Sequence, residues 1–305
     1  MLTLCVEPAT TPLGWEEFMS AKPKNSIALD GYVKAGPRFD PTGPWANYNH
    51  HEEVSRLETR ATCHQVLLAI RMGLFETFQD SIGNPDANVY VNDCDEDVSL
   101  SWFLLEHHNL VRASMNPILN RLVFMEDMLD TTAGAYPFPR DMESLEQLMW
   151  IFEPYHQFRV SGQIDRREEQ AFRSVIDDVG RRIIAHVMGK GHHIRLDTRF
   201  KVIATYPQWV LIQEIGKNAR IGVYNEGIKA FVSVRERPTG AFSYGLNRFS
   251  HFVPFPLLKF IQAFNAAEPH PSDMWGGSDN SAGSPRVRGS RLKPEEVAEI
   301  INSEL

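Results

Sequence analysis

Asp93, Asp95, Glu96 and Asp97 crowd together directly after the apolar run Val89-Tyr90-Val91 and just before a second apolar run over 98–105. Like charges this close repel one another and resist leaving water, so they are either solvated on a turn or neutralised by a cation. Their position favours the cation. A short apolar run bounded by turn residues reads as a buried strand, and ligand sites in parallel α/β sheets form at the carboxyl ends of strands.

Hard divalent cations take several carboxylate oxygens, and imidazole moves the preference from Mg²⁺ toward Mn²⁺. His50-His51 supplies imidazoles in a suitable setting. The pair follows a Gly/Pro-rich loop over 34–49, precedes a segment over 61–78 with apolar residues at helical spacing, and comes about twenty residues after the strand Ser26-Ile27-Ala28-Leu29, which ends in Asp30. The other two pairs, His107-His108 and His192-His193, are assigned to a helix surface and a linker. Leu122-Val123-Phe124-Met125 reads as a third strand running into Glu126-Asp127 and Asp130, so three strands would end in carboxylates, with Asp127 and Asp130 as alternatives for one ligand position.

These residues need a scaffold. Strand, polar turn and helix in succession are the units of a parallel α/β sheet. The stretch 141–191 reads as helical, with Phe172, Val175, Ile176, Val179, Ile183 and Val187 on one face and Gly189 and Gly191 closing the last helix. Beyond it, KVIATYP, ARIGVYN and IKAFVSV read as strands, followed by a helix over 254–267, a glycine-rich stretch over 275–286 and a last helix from Pro294. The expected organisation is a catalytic domain over 1–140, a helical connector over 141–191 and a smaller α/β domain over 192–305.

Composition narrows the chemistry. The chain has 305 residues, 43% of them apolar, enough to bury a substantial core. Its three cysteines are too few and scattered for a disulfide framework or a thiolate zinc cage. No stretch approaches the apolar length of a membrane span and no signal segment opens the sequence, so a cytoplasmic protein with no membrane partner is expected. The net charge of -8 argues against gripping long nucleic acid but permits a small phosphorylated substrate. Zinc-protease, P-loop and nucleophile-elbow motifs are all missing, and Cys63, inside the helical stretch, reads as core.

Asp30, a loop, NHH at 49–51 and TRATCHQVLLAI at 59–70 together resemble the DHH phosphoesterase superfamily, which includes RecJ-type exonucleases, cyclic-dinucleotide phosphodiesterases and family II pyrophosphatases. Asn49 stands where that family has the aspartate of DHH. DCDED at 93–97 is similar to the family's first motif, His-x-Asp-x-Asp, with Asp93 in place of the histidine, and DTTAGAY at 130–136 is a looser match to the fourth. The motifs run second, third, first, fourth, a permuted order. FVSVRERP at 231–238 and WGGSDNSAGSPR at 275–286 resemble the DHHA1-type domain of RecJ-like members, with Ser278-Asp279 departing from the glycine-loop histidine.

The resemblance implies a parallel-sheet DHH-like domain and a smaller DHHA1-like α/β domain. Two Mn²⁺ or Mg²⁺ ions would be held by Asp30, His50, Asp95, Asp97 and Asp130, with His51 and Asp93 taking part in catalysis. Arg235, Gly276, Gly277, Ser278, Gly283 and Arg286 would contact substrate, a nucleotide or short oligonucleotide. A pyrophosphatase-like hydrolase and a non-catalytic nucleotide sensor are the alternatives, and a homodimer is left open.

Overall fold

The computed structural model describes residues 1–112 and 116–305 and is a mixed α/β structure of two compact units. The first comprises Met1–Thr131 with Glu143–Ile194, and the second Thr132–Met142 with Arg195–Leu305. The helical stretch expected as a connector is thus part of the first unit. Among the described residues no helix is long and apolar enough to cross a membrane.

In chain order the first unit holds β1 (Leu2–Val6), α1 (Trp15–Ala21), β2 (Ser26–Leu29), β3 (Arg38–Asp40), β4 (Trp45–Tyr48), α2 (Thr62–Arg71), α3 (Leu74–Thr77), β5 (Ala87–Val91), α4 (Glu96–Glu106), α5 (His108–Arg112), α6 (Pro117–Thr131), α7 (Glu143–Ile151), α8 (Glu153–Val160), a 3₁₀ turn (Gln163–Arg166) and α9 (Glu169–Val187). The sheet order is β1-β5-β2-β4-β3, with the first four strands parallel and β3 an antiparallel edge. Ser26, Ile27, Ala28 and Leu29 of the central β2 are all fully buried, as the continuous apolar run of a strand covered on both faces requires. The helix expected over 61–78 divides at Gly73, whose φ of 101° ends α2 and starts α3.

The sequence does not betray β1 or β4. Within the Gly/Pro-rich loop, Trp45-Ala46-Asn47-Tyr48 pairs with β2, and the buried Asn47 amide donates to the carbonyls of Ala35 and Gly36 at 2.8 and 3.0 Å. Leu122-Val123-Phe124-Met125 corrects an expectation, because it lies inside α6 rather than forming a third strand. A run of four apolar residues fits a strand or a buried helical turn equally well. The burial of Leu119, Leu122, Val123 and Glu126 shows helical spacing. Asp127 and Asp130 therefore reach the site from a helix.

The second unit holds β6 (Phe200–Thr205), β7 (Val210–Glu214), α10 (Ala219–Asn225), β8 (Ala230–Glu236), β9 (Phe242–Arg248), α11 (Leu257–Ala267), β10 (Gly276–Gly277), β11 (Ser281–Gly283) and α12 (Pro294–Glu304). Its sheet runs β10-β11-β9-β8-β7-β6 and is antiparallel except for β7 with β8. Phe260, Phe264, Val297 and Ile301 of α11 and α12 share a core with Val232 and Leu246 of the sheet, and Val223 and Tyr224 of α10 share another with Ile212 and Phe231. ARIGVYN, expected as a strand, is α10, a second case of a short apolar run that reads both ways. Its Gly222 packs so closely that an added Cβ would lie 2.2 Å from the Thr198 carbonyl oxygen. Gly222→Ala should therefore lower stability by about 1–3 kcal/mol. Urea denaturation checks this, and an unchanged midpoint would contradict the close contact.

Candidate metal centre

Three neighbouring parallel strands deliver side chains to one edge of the first sheet. Asp30 follows β2, His50 and His51 follow β4, and Asp93 to Asp97 follow β5. The turn after β2 is sharp. Asp30 (φ 46°) and Gly31 (φ 81°) are both left-handed, while the Asp30 N–H still bonds the Tyr48 carbonyl at 2.8 Å. A left-handed aspartate is tolerated but mildly strained, and strain of this kind concentrates at functional sites.

The centre is built around His50, which is fully buried. Its Nε2 lies 2.8 Å from Asp130 Oδ2, 3.5 Å from Asp30 Oδ1 and 3.6 Å from Asp97 Oδ2. His50 Nε2 and Asp130 Oδ2 form a close ion pair that is off hydrogen-bond alignment, and His50 Nδ1 has no partner. Buried polar atoms are rarely left without partners. One imidazole nitrogen ringed by three carboxylate oxygens is the arrangement a cation completes. Asp30, His50 and His51 form one group able to hold an ion, and His50, Asp97 and Asp130 another. The donor set of carboxylate oxygens and imidazole nitrogens fits Mn²⁺ or Mg²⁺.

Each of these side chains is held from behind. Asp97 accepts the N–H groups of Thr62 and Cys63 at 2.7 and 2.6 Å, closing the first turn of α2. Thr62 Oγ1 donates to Asp30 Oδ1 at 3.0 Å, and His51 Nε2 lies 2.9 Å from the same oxygen. Asp130 Oδ1 accepts from Arg56 at 2.6 Å. Asp127 has a different task, since it accepts the Ala61 N–H at 2.7 Å and also bonds Arg60 and His64. Of the two alternatives, Asp130 meets His50 and Asp127 caps α2.

Asn49, where the resemblance expects an aspartate, has a structural task. Fully buried, it donates to the carbonyls of Val33 and Ala35 at 3.3 and 2.9 Å, and its Oδ1 accepts the His51 N–H at 3.1 Å. A carboxylate has no N–H to give those carbonyls. Asp95 is the N-cap of α4, accepting from the Val98 N–H at 3.0 Å, and Asp93 accepts the Cys94 N–H at 2.7 Å. Neither belongs to the two compact groups around His50.

Burial pushes the carboxyls of Asp97, Asp95 and Glu126 well above their usual range, and neighbouring carboxylates add to it. Burial likewise raises Asp93, and it takes Glu96 up to about 7. Burial would raise Asp30 and Asp130 too, but the imidazoles of His51 and His50 outweigh it and both are held low. Burial disfavours the charged form of His51, yet Asp30 wins and its pKa rises. Burial also pushes the Cys63 thiol well up, so it is inert core. Buried Glu126, on α6, was not carried as a candidate ligand, because the sequence set it at the end of the expected third strand with Asp127 and Asp130 as the alternatives for the ligand position.

The expected substrate residues do not form one group. Arg235 lines a cleft of about 820 Å³ with Arg237, Arg288 and Arg291. Arg237 is bound to Ser243 and to the carbonyls of Val287, Pro285 and Arg286, and Arg288 to Glu268 and Asp273. Gly276, Gly277, Gly283 and Arg286 line a separate hollow of about 620 Å³. Gly277 is required there, since at its φ of 147° a Cβ would lie 2.4 Å from Ala282 Cα. Ser278 closes the turn between β10 and β11, its N–H donating to the Ser281 carbonyl at 2.8 Å. No family model matches the chain, and no curated protein matches it either.

A raised carboxyl keeps its proton in the folded chain when the unfolded chain has lost it, so its contribution to stability is lost as pH rises. Chelated protein should therefore become less stable as pH climbs from the ordinary Glu96 value of 4.5 to about 7. Added Mn²⁺ should raise the melting temperature more at about pH 8 than at about pH 5. Thermal melts with chelator or Mn²⁺ at both pH values check this, and equal shifts would contradict it.

Proposed function

We propose that the protein is a divalent-metal-dependent phosphoesterase acting on a nucleotide or short oligonucleotide, with the first unit DHH-like and the second DHHA1-like. The observation that carries this is His50 Nε2, fully buried and facing three carboxylate oxygens on neighbouring elements. Asp30, His50, Asp97 and Asp130 would hold Mn²⁺ or Mg²⁺, with His51 and Asp95 beside them. When bound, two such ions supply Lewis-acid polarisation of a phosphoryl group and a lowered pKa for attacking water.

The chain's own residues do the rest. Thr62 and the α2 amino terminus orient Asp30 and Asp97, so that the oxygens facing His50 stay fixed. His51, one third exposed and set against Asp30, is the ring of the pair with access to solvent and is placed to carry a proton to the departing oxygen. Arg235 and Arg286 are exposed on the second unit and carry the guanidinium groups that suit phosphate binding. The second reading, a non-catalytic nucleotide sensor, is favoured by Asp93, which stands where the family has a histidine and is bonded to Cys94.

A panel of short oligonucleotides, cyclic dinucleotides, mononucleotides and pyrophosphate, assayed with Mn²⁺, separates the two. The phosphoesterase reading expects turnover that chelation stops and His50→Ala lowers by about 10³-fold or more, with far-UV circular dichroism unchanged. Asp95→Asn tests the acidic loop while keeping a competent N-cap, and it too should lower turnover. Nucleotide binding without turnover would favour the sensor.

A further inference from the structure

Among the described residues, Arg56 is the only Lys or Arg whose side chain pairs with a carboxylate of the His50 groups, through Nη2 to Asp130 Oδ1 at 2.6 Å. The sequence did not single it out, since it lies in a loop with no periodicity to mark it. That contact uses one of five guanidinium N–H bonds. Arg56 Nε is enclosed and has no acceptor. A buried donor left unmatched is costly, a cost that a bound ligand's acceptor would remove. The side chain is 28% exposed, so the guanidinium lies at the boundary between the buried groups and solvent.

The loop that carries Arg56 is tied down on both sides. At its start Asn49 Nδ2 donates to Glu52 at 2.7 Å, and Glu53 accepts from the Gly36 N–H at 3.1 Å. At its end Arg60 and the Ala61 N–H bond Asp127, and Gln65 Nε2 reaches the carbonyls of both Asn49 and Arg60 at 3.0 and 2.7 Å. Between these ties, the N–H groups of Glu58 and Thr59 fold back onto the Ser55 carbonyl. The guanidinium is thus presented by a braced turn, the preorganisation that makes a charged donor effective.

We propose that Arg56 binds substrate, giving its Nε–H and a free Nη–H to non-bridging oxygens of the phosphoryl group held at the His50 centre. The inference rests on the phosphoesterase reading. The planar fork of arginine matches two phosphate oxygens, and lysine offers only a point charge. A purely structural Arg56 would instead pin Asp130, a task for which lysine's single charge suffices.

The test compares wild type, Arg56→Lys and Arg56→Ala, each loaded with Mn²⁺. Three quantities are read: Mn²⁺ bound per chain, affinity for inorganic phosphate by calorimetry, and kcat/KM on the best panel substrate. Arg56→Lys should bind Mn²⁺ as wild type does, bind phosphate about tenfold or more weakly, and lose about 10²-fold or more in kcat/KM. Added guanidinium should restore part of the activity of Arg56→Ala. Normal phosphate affinity in Arg56→Lys would overturn the proposal, and so would Mn²⁺ and phosphate binding lost together in Arg56→Ala but both kept in Arg56→Lys, which would make Arg56 a support for Asp130 alone. If wild type itself bound Mn²⁺ but neither bound phosphate nor turned over any phosphoester, the phosphoesterase reading would fall first and take this role with it.

Discussion

Both carboxylate oxygens of Asp97 are bonded to the first free N–H groups of α2, and this contact joins the sheet edge, two helices and the His50 centre. Asp97 lies in the first turn of α4, so the amino-terminal turns of two helices meet at one carboxylate. Helix α2 has no side-chain cap of its own at Ala61. Its free N–H groups are met instead by Asp97 and, one residue earlier, by Asp127 from α6. The partial positive charge of a helix amino terminus favours a carboxylate there, and the carboxylate in turn fixes where α2 begins.

That arrangement leaves a surplus of negative charge. The positive end of α2, Arg56 and Arg60 meet part of it, but burial still drives Asp97, Asp95 and Glu126 toward their neutral forms. Groups that must be neutral to stay buried weaken the fold as pH rises. A divalent cation reverses the balance, because it needs these carboxylates ionised and offers more charge than any side chain nearby. A cation bound here would couple folding to metal binding through the same oxygens.

Much of this was legible in the sequence, for physical reasons that differ by element. β2 and β5 are short apolar runs bounded by turn residues, and the apolar face of α9 is periodic over many turns, so Asp30 and the 93–97 cluster could be placed at strand ends. The same reasoning failed for 122–125 and 219–225, where a few apolar residues cannot tell a strand from a buried helical turn. Even so, Asp130 reached His50, because a helix end can deliver a carboxylate as well as a strand can. β4 was hidden because its buried Asn47 serves loop carbonyls, a need that composition does not reveal. Asn49 looked like a defect in a metal motif, yet its amide is what the loop carbonyls of Val33 and Ala35 require.

The central claim is that His50 and its three carboxylates bind a divalent cation. Equilibrium dialysis against Mn²⁺ with elemental analysis, on wild type and His50→Ala side by side, tests it most directly. The account predicts Mn²⁺ retained by wild type at one ion or more per chain, with at least one ion lost in a still-folded His50→Ala. Equal Mn²⁺ content in the two proteins, or none in either, would contradict it.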